Sequence, residues 1–296
     1  MVGPLRLSLQ SLNNNMNSVD LKAHAKVNVG LQVNDQREDG YHNIHTVFQE
    51  LELHDCVSLR KQNTSWKITI NNSEIPIDDT NTCIRAYLEL KKQFPQIGGI
   101  SISLNKKIPS GAGLGGGSSD ASAVLKGLKE LFDLPLDNEE LSKIAVKIGA
   151  DVPFFISGGT QIGDGVGELL TPINNPIDGY YLLIIPEIFI STAWAYTTLK
   201  KDLKNEIDRP NFAHFLEENN LSKVIFDNDF ERIVIPTYPK IGDIKEGLLK
   251  TGAKYASLSG SGSTVFGIYD DEAEAKQAES HFQKQYHTFL TRPTNL

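Results

Sequence analysis

The sequence is poor in cysteine, methionine and tryptophan, with two of each in 296 residues. Cys56 and Cys83 show neither CxxC nor metal-site spacing, which excludes a disulfide scaffold and favours a reducing compartment such as the cytoplasm. No apolar run approaches the roughly 20 residues that span a bilayer. Lysines and arginines form no stripe, and the formal net charge of −8 argues against a nucleic-acid backbone as the main partner.

What the sequence contains is the composition of a globular protein, with 40% of its residues hydrophobic and 22% charged. At roughly 100–200 residues per domain, this length favours two domains. Strands and helices mix without strict βαβ alternation, which predicts an α+β fold. The pattern changes near residue 170, so we expect domains over 20–170 and 171–296, preceded by a disordered tail or processed segment over 1–19.

Hydrophobic periodicity predicts the secondary structure. Predicted strands cover 21–33, 47–53, 57–61, 66–70, 99–104, 180–185, 264–269 and 288–290. Predicted helices start at Asn81 or Thr82, after a glycine-rich run, at an Asp137 and Glu140 capping box, at Ser191 or Thr192, near 241 and at 272. Gly149 is expected to end the capping-box helix. Residues 202–240 give no clear pattern, and any substrate contacts there stay unassigned.

The strongest signal is a glycine-rich run that follows a predicted strand and opens a predicted helix, Pro109-Ser110-Gly111-Ala112-Gly113-Leu114-Gly115-Gly116-Gly117-Ser118-Ser119-Asp120. Glycines let backbone amides close around a ligand without Cβ clashes. A helix N-terminus adds unpaired amides and a positive dipole end. Together these features predict a phosphate site, to which Lys106 and Lys107 could add charge.

Other interpretations of this run remain open at this point. It could be a flexible loop or a tight helix entry without function. Gly111, Gly113 and Gly116 also satisfy GxGxxG, which would suggest a dinucleotide-binding dehydrogenase. That fold needs an acidic residue about 20 positions on at a strand end, whereas Glu130 and Asp133 fall in or just after a helix. The run is not a P-loop, because no lysine follows its glycines. The HRD and DFG signatures of protein kinases are also absent from the sequence.

The run from Pro109 to Ser119 resembles the phosphate-binding motif of the GHMP kinases, which include galactokinase, homoserine kinase and mevalonate kinase. Within that superfamily the chain most resembles the 4-diphosphocytidyl-2-C-methyl-D-erythritol kinases of non-mevalonate isoprenoid biosynthesis. The narrower resemblance covers roughly residues 21–290 and rests on Ala25-Lys26-Val27-Asn28, Asp39-Gly40-Tyr41-His42, Gly149-Ala150-Asp151-Val152-Pro153 and Ser257-Leu258-Ser259-Gly260-Ser261-Gly262-Ser263.

The resemblance implies a fold and an activity. The fold would pair an N-terminal half like domain 2 of ribosomal protein S5 with a ferredoxin-like C-terminal half, and the active site would lie in the cleft between them. The activity would be ATP-dependent phosphorylation of the 2-hydroxyl of the family's substrate. Mg²⁺ should accompany ATP because the triphosphate needs neutralising, but the sequence does not indicate a protein ligand for it.

The resemblance also assigns residues. Lys26 and Asp151, which taken alone could be a surface ion pair, match the catalytic pair. Asn28, Tyr41, His42 and Tyr196 match substrate positions, with Tyr196 expected to stack on cytosine although ordinary helix packing is the alternative. The ATP-binding positions are Asn81, Lys106, Pro109, Ser110, Gly111, Ala112, Gly113, Leu114, Gly115, Gly116, Gly117, Ser118, Ser119 and Asp120.

Asp120 stands where the family more often has asparagine; since an inward carboxylate would repel phosphate, we expect it to face the nucleoside. His42 and His45 form HxxH, but no carboxylate or cysteine accompanies them at metal spacing, so a metal site is not expected. Besides a kinase, the sequence leaves open a kinase-like binding protein without turnover. The oligomeric state cannot be predicted.

Overall fold

The computed structural model describes residues 16–174, 177–199, 211–212 and 226–294. The strands are β1 (Ser18–Gln36), β2 (His42–Gln62), β3 (Lys67–Ile70), β4 (Gly99–Asn105), β5 (Thr160–Asp164), β6 (Leu169–Ile173), β7 (Tyr180–Ile185), β8 (Tyr255–Leu258), β9 (Val265–Tyr269) and β10 (His287–Thr291). The helices are α1 (Thr82–Gln93), α2 (Gly116–Leu131), α3 (Asn138–Ala145), α4 (Phe154–Ser157), α5 (Thr192–Leu199), α6 (Glu231–Thr237), α7 (Pro239–Lys250) and α8 (Glu272–Phe282).

The N-terminal sheet is organised around the long strand β2. One edge of β2 pairs antiparallel with β1 along nearly its whole length. Its other edge pairs with β5 near one end and with β4 near the other, and β6 and β3 complete the sheet in the order β3-β4-β2-β5-β6. Helices α1, α2 and α3 bury their apolar faces against this sheet and one another. β2 therefore connects the two ends of this half in a single element.

The C-terminal sheet has the strand order β10-β7-β9-β8, and its described pairs are all antiparallel. Taken with the helices that pack on it, the half reads β7-α7-β8-β9-α8-β10, which is the βαββαβ pattern of ferredoxin-like folds; α5 and α6 are inserted between β7 and α7. The predicted α+β class with a ferredoxin-like second half is confirmed. The arrangement is not the parallel sheet that a dinucleotide-binding fold requires.

A third apolar cluster joins the two sheets. Side chains alternate across a strand, so Ala25, Val27 and Val29 of β1 face this cluster while Lys26 and Asn28 face the opposite side. Tyr181, Leu183 and Phe266 meet them from the C-terminal sheet. Because β1 is buried on both faces, its polar residues are held in a cleft between the two halves. The apolar cluster thereby positions the site described below.

Most predicted elements are present, with instructive differences. The two strands predicted over 47–53 and 57–61 are one strand, because Asp55 is fully buried and hydrogen-bonded rather than in a turn. The capping box of Asp137 and Glu140 is present, but α3 ends at Ala145 instead of reaching Gly149. Hydrophobic periodicity gave no bounds for β5, β6, β8, α4 or α6. β6 contains Pro172, which is tolerated because β6 is an edge strand.

Two of the predicted segment limits fall inside strands. Ser18 and Val19, expected in an N-terminal tail, already pair with Arg60 and Leu59 in β1; residues 1–15 lie outside the described part. A division after residue 170 would cut β6, which pairs with β5 as far as Ile173. We therefore propose that the two units divide between Ile173 and Tyr180. Helices within the described ranges are too short or too polar to traverse a bilayer.

Substituting Leu128 by alanine tests the contact between α2 and the sheet. Leu128 is fully buried in the N-terminal cluster, so Leu128→Ala should lower the free energy of unfolding by about 2–5 kcal/mol. Leu169→Ala, at a side chain 60% exposed on β6, should change it by less than about 0.5 kcal/mol. Urea denaturation of both variants measures the difference. Equal losses would contradict the assigned packing.

Candidate functional site

A cavity of about 610 Å³ opens between β1, β2 and α5. One wall carries the polar side chains of β1, and the opposite wall is formed by α5 and the C-terminal glycine run. Asp151 is the acidic side chain among the described residues that line it. A volume of this size suits a small organic molecule.

Lys26 is the buried cation of this cavity. Its Nζ donates to Asn28 Oδ1 at 2.7 Å and lies 3.4 Å from Asp151 Oδ2. Asn28 Nδ2 in turn donates to Thr46 Oγ1 at 2.9 Å, which fixes the amide so that its oxygen faces the lysine. Thr46 was not identified from sequence, since a lone threonine in a strand gives no signal. The chain of contacts holds the ammonium in one position.

Asp151 lies in the turn between α3 and α4, where its side chain stays 34% exposed. The turn is closed by Val152 N donating to the Gly149 carbonyl at 3.2 Å. One carboxylate oxygen faces Lys26 while the side chain remains open to the cavity. The structure thus brings together the two residues that the sequence predicts as a catalytic pair.

The glycine-rich run forms a loop that leads into α2. Gly115 is the N-cap, with φ of 71°, and a Cβ there would lie 2.8 Å from the Phe155 ring and 3.0 Å from Lys26 Cγ. Glycine is therefore required for the loop to approach the lysine. The amides of Gly116, Gly117 and Ser118 open the helix and have no intrahelical acceptor. Such amides can bind a phosphate group.

The second glycine run, over 257–263, packs directly on the first. A Cβ at Gly113 would lie 2.1 Å from the Ser259 carbonyl oxygen, and φ of Gly113 is 80°. Ser259 Oγ donates to the Gly113 carbonyl at 2.9 Å, and Thr264 N donates to the Ala112 carbonyl at 3.2 Å. The C-terminal half thereby fixes the shape of the N-terminal loop.

A second cavity, of about 460 Å³, lies on the other side of the loop. The loop residues Gly113 and Gly115 line both cavities. The predicted ATP-binding residues that line the second cavity are Asn81, Lys106, Pro109, Ser110, Gly111, Ala112, Gly113, Leu114, Gly115, Gly116, Gly117, Ser118 and Asp120. Ser119 is the exception: it is buried behind the loop and does not line this cavity.

Two of the predicted nucleotide residues have structural contacts of their own. Asn81 Oδ1 caps α1 through the Cys83 amide, and its Nδ2 donates to the Pro76 carbonyl. Both ends of that side chain are thus engaged in holding the cavity wall. Lys106 is nearly buried and lies between two carboxylates instead of projecting freely into the cavity.

The carboxylates that hold Lys106 are Asp55 and Asp120. Asp120 Oδ2 lies 2.6 Å from Lys106 Nζ, and Asp55 Oδ2 is paired with the same nitrogen. Burial favours the neutral acid and raises the pKa of Asp120 to about 7; Asp55 adds to the rise while Lys106 opposes it. Burial by itself would lower the pKa of Lys106, but the two carboxylates raise it above its usual value.

Asp55 was missed by sequence reasoning. It is fully buried in β2, and its Oδ1 accepts the amide of Ile108 at 2.8 Å and that of Lys107. A single acidic residue between predicted strands looks like a turn residue in sequence. Only the fold shows that it anchors the start of the glycine-rich loop.

The aromatic end of the first cavity contains three of the predicted substrate residues. His42 and Tyr196 are stacked, with ring centroids 5.6 Å apart, and Tyr196 also meets Phe230 edge-on at 4.9 Å. Burial, with a further contribution from Asp151, raises the pKa of the Tyr196 phenol well above its ordinary value. Tyr41 projects outward at the cavity mouth and is 63% exposed.

His42 has a defined tautomer in this setting. Its Nδ1 lies 3.0 Å from the Asn34 carbonyl oxygen. Since a carbonyl can only accept, Nδ1 carries the hydrogen and Nε2 of the neutral ring is an acceptor. Within the described residues, no three or more His, Cys, Asp or Glu side chains are grouped so that they could hold a metal ion.

Comparison with known proteins shows that two parts of the chain match the domain models of one family. Residues 81–159 match the model for the N-terminal domain of GHMP kinases, and residues 199–288 match the model for their C-terminal domain. The chain is 39% identical over 276 residues to the 4-diphosphocytidyl-2-C-methyl-D-erythritol kinase of Chlorobium chlorochromatii, covering 91% of this chain and 95% of that protein. It is 40% identical over 278 residues to the kinase of that name from Alkaliphilus oremlandii, covering 92% and 94%.

Solved structures agree with the sequence matches. A crystal structure of 4-(cytidine 5'-diphospho)-2C-methyl-D-erythritol kinase superposes with a TM-score of 0.79 at 31% identity, covering 94% of this chain and 100% of that one. Homoserine kinase from Cytophaga hutchinsonii has a TM-score of 0.78 at 21% identity, covering 98% and 97%. The second likeness shows the shared fold alone.

Alanine substitutions at Gly113, in the loop, and at Gly117, in the first turn of α2, test the loop contact. Gly113→Ala places a Cβ against the Ser259 carbonyl in a left-handed backbone, so the free energy of unfolding should fall by at least about 1–2 kcal/mol. Gly117→Ala places a Cβ 3.7 Å from Thr82 Oγ1, an ordinary contact, and should leave stability unchanged or raise it by up to about 1 kcal/mol. Urea denaturation compares them; two equally stable variants would rule out the described loop contact.

Proposed function

Because the chain belongs to the GHMP kinases, and within them to the 4-diphosphocytidyl-2-C-methyl-D-erythritol kinases, we propose that it transfers the γ-phosphate of ATP to the 2-hydroxyl of 4-diphosphocytidyl-2-C-methyl-D-erythritol. The products are the 2-phosphate and ADP. This reaction would serve isoprenoid precursor synthesis, and two free cysteines support the cytoplasm as its compartment.

One observation carries the proposal: two cavities share the residues of one glycine-rich loop, and the Lys26–Asp151 ion pair lies beside that loop. Gly113 and Gly115 line both cavities, so a triphosphate in one ends next to a hydroxyl in the other. Lys26 and Asp151 lie on the substrate side of that junction. Phosphoryl transfer depends mostly on positioning and charge neutralisation, and this arrangement supplies both.

In this scheme the second cavity binds ATP. The amides of Gly116, Gly117 and Ser118 bind the phosphates, and the positive end of the α2 dipole favours their charge. The wall formed by Asn81 and Pro76, held together by their hydrogen bond, faces the nucleoside. The γ-phosphate then points through the shared loop toward Lys26.

The chemical step is a direct displacement. The substrate oxygen forms a bond to the γ-phosphorus as the bond from that phosphorus to the β,γ-bridging oxygen breaks, and ADP leaves with the bond's electron pair. Asp151 accepts the hydroxyl proton and passes it to solvent through the exposed part of its side chain. Lys26, fixed by Asn28, holds Asp151 and offsets charge on the transferring group.

The aromatic end of the first cavity suits a cytosine base. Tyr196, stacked on His42, lines the cavity with an aromatic ring against which a base can stack, and Tyr41 at the mouth can cover that base. Nε2 of His42 is an acceptor, which matches the exocyclic amino group of cytosine and not the corresponding carbonyl of uracil. The diphosphate linker would then run past Thr192 and Ser261, whose hydroxyls lie 3.1 Å apart.

Mg²⁺ fits this donor set as a companion of the nucleotide. The described residues offer no cluster that could hold the ion alone, and Mg²⁺ is commonly bound through substrate phosphates, waters and one or two carboxylates. We propose that the triphosphate would hold the ion, with Asp151 as the carboxylate that lines the adjoining cavity. When bound, the ion neutralises phosphate charge.

A coupled assay for ADP release with this substrate tests the proposal. We expect turnover with 4-diphosphocytidyl-2-C-methyl-D-erythritol and none with mevalonate or homoserine. Turnover with mevalonate or homoserine alone would place the activity in another branch of the family. ATP binding without turnover would instead support a kinase-like binding protein. The pairing of Lys26 with Asp151 argues against that alternative. Tight NAD binding without ATP binding would revive the dehydrogenase interpretation.

Removing the charge of Asp151 tests its role. Asp151→Asn should lower kcat by about 10²–10⁴-fold, because the amide cannot accept the hydroxyl proton, while the KM for ATP changes little. Asp133→Asn is the matched control, since Asp133 is exposed and its φ of 48° suits asparagine; it should retain wild-type kcat. Steady-state kinetics decide, and activity of Asp151→Asn within a few-fold of wild type would refute the assignment.

Tyr196 tests base recognition. Tyr196→Ala removes the stacking surface and should raise the KM for the cytidine substrate by about 5–150-fold, the equivalent of 1–3 kcal/mol, with the KM for ATP unaffected. Tyr196→Phe keeps the ring and should remain near wild type. A KM that is unchanged in both variants would mean that Tyr196 serves only to pack α5.

A further inference from the structure

The Asp55–Lys106–Asp120 cluster lies directly beneath the start of α2, outside the reaction derived above. Lys106 Nζ is 3.1 Å from where a Gly116 Cβ would be, so the ammonium touches the first turn of the helix that binds phosphate. Asp55 reaches the cluster from β2, and Asp120 reaches it from α2 itself. The cluster thus connects the sheet, the loop entry and the helix under the nucleotide cavity.

Its charges do not balance. Two carboxylates share one ammonium, and the groups described around Asp120 are Lys106, Asp55 and the buried Cys83 thiol on α1. Burial raises the pKa of Cys83, which stays a neutral thiol. No other charged side chain in the described ranges pairs with Asp120. With both acids ionised, the site carries one net negative charge where a triphosphate must bind.

The two carboxylates are not equivalent. Asp55 has both oxygens engaged, one by the amides of Lys107 and Ile108 and the other by Lys106. Asp120 has one oxygen on Lys106, while its Oδ1 is buried without a hydrogen-bond partner. Hydrogen bonds to a carboxylate favour its ionised form. Asp120 is therefore the member that a proton neutralises most readily.

We propose that Asp120 is a proton-accepting positioning residue of the nucleotide site: the cluster takes up one proton when the triphosphate binds, which frees Lys106 to turn its charge toward the phosphates. Asp55 keeps the loop entry in place throughout. This inference rests on the proposed function, since it concerns the ATP that the kinase uses.

The direction of the effect follows from linkage. The raised pKa of Asp120, about 7, leaves it largely protonated at pH 6 and ionised at pH 8. A triphosphate beside it raises that pKa further, because it adds negative charge. Proton and nucleotide thus favour each other's binding. If only the protonated form binds well, the dissociation constant rises about tenfold between pH 6 and pH 8.

The test is isothermal calorimetry of the full chain with Mg²⁺ and the non-hydrolysable analogue AMP-PNP, in two buffers of different ionisation enthalpy. Wild type should weaken by about tenfold from pH 6 to pH 8 and take up a proton in addition to those of the nucleotide. Asp120→Asn should abolish both effects and bind more tightly than wild type at pH 8. Glu130→Gln, which removes an exposed carboxylate of the same helix, should titrate like wild type.

The variant Asp55→Asn provides a second test in case Asp120→Asn does not fold. Asp55→Asn leaves Asp120 facing one cation and no second carboxylate, so its pH dependence should also flatten. Wild type, Asp120→Asn and Asp55→Asn with the same pH profile and the same proton uptake would overturn the inference while leaving the kinase assignment intact. Failure of wild type to bind AMP-PNP at any pH would instead overturn the proposed function.

Discussion

The contact between two glycine-rich loops is the constraint on which the site depends. The Ser259 carbonyl occupies the space that any side chain at Gly113 would need, and Ser259 Oγ holds the Gly113 carbonyl in return. The two loops come from different halves of the chain. The C-terminal half therefore supports the shape of the first glycine-rich loop, and the apolar cluster between the two sheets docks that half.

A second constraint is electrostatic. A catalyst of phosphate transfer needs cations, but a buried cation without partners is unstable. The structure meets this need differently in its two cavities. Lys26 contacts an amide oxygen and a partly exposed carboxylate, and it lines the first cavity. Lys106 is held by two acids, so its charge is largely compensated until one of them is protonated. The charges of the two lysines are thus compensated to different extents, because their neighbouring side chains differ.

Local features of this chain could be predicted from sequence, and long-range ones could not. The glycine run, the Asp137 capping box and strand β7 depend on neighbours within a few positions, which periodicity and capping rules describe. The burial of Asp55 could not be predicted, because its hydrogen-bond partners lie about 50 positions away in sequence. The nearness of Lys26 to Asp151 was expected only from family resemblance; no local pattern joins β1 to a turn after α3.

The adjoining cavities have a consequence for ligand design. The two cavities, of about 610 and 460 Å³, share Gly113 and Gly115 in their linings. A single compound that joins a nucleoside-phosphate group to a cytidine-like group by a short tether would occupy both at once. Its second half would bind at an effective concentration in the millimolar range, so two weak fragments could combine into one tight bisubstrate inhibitor.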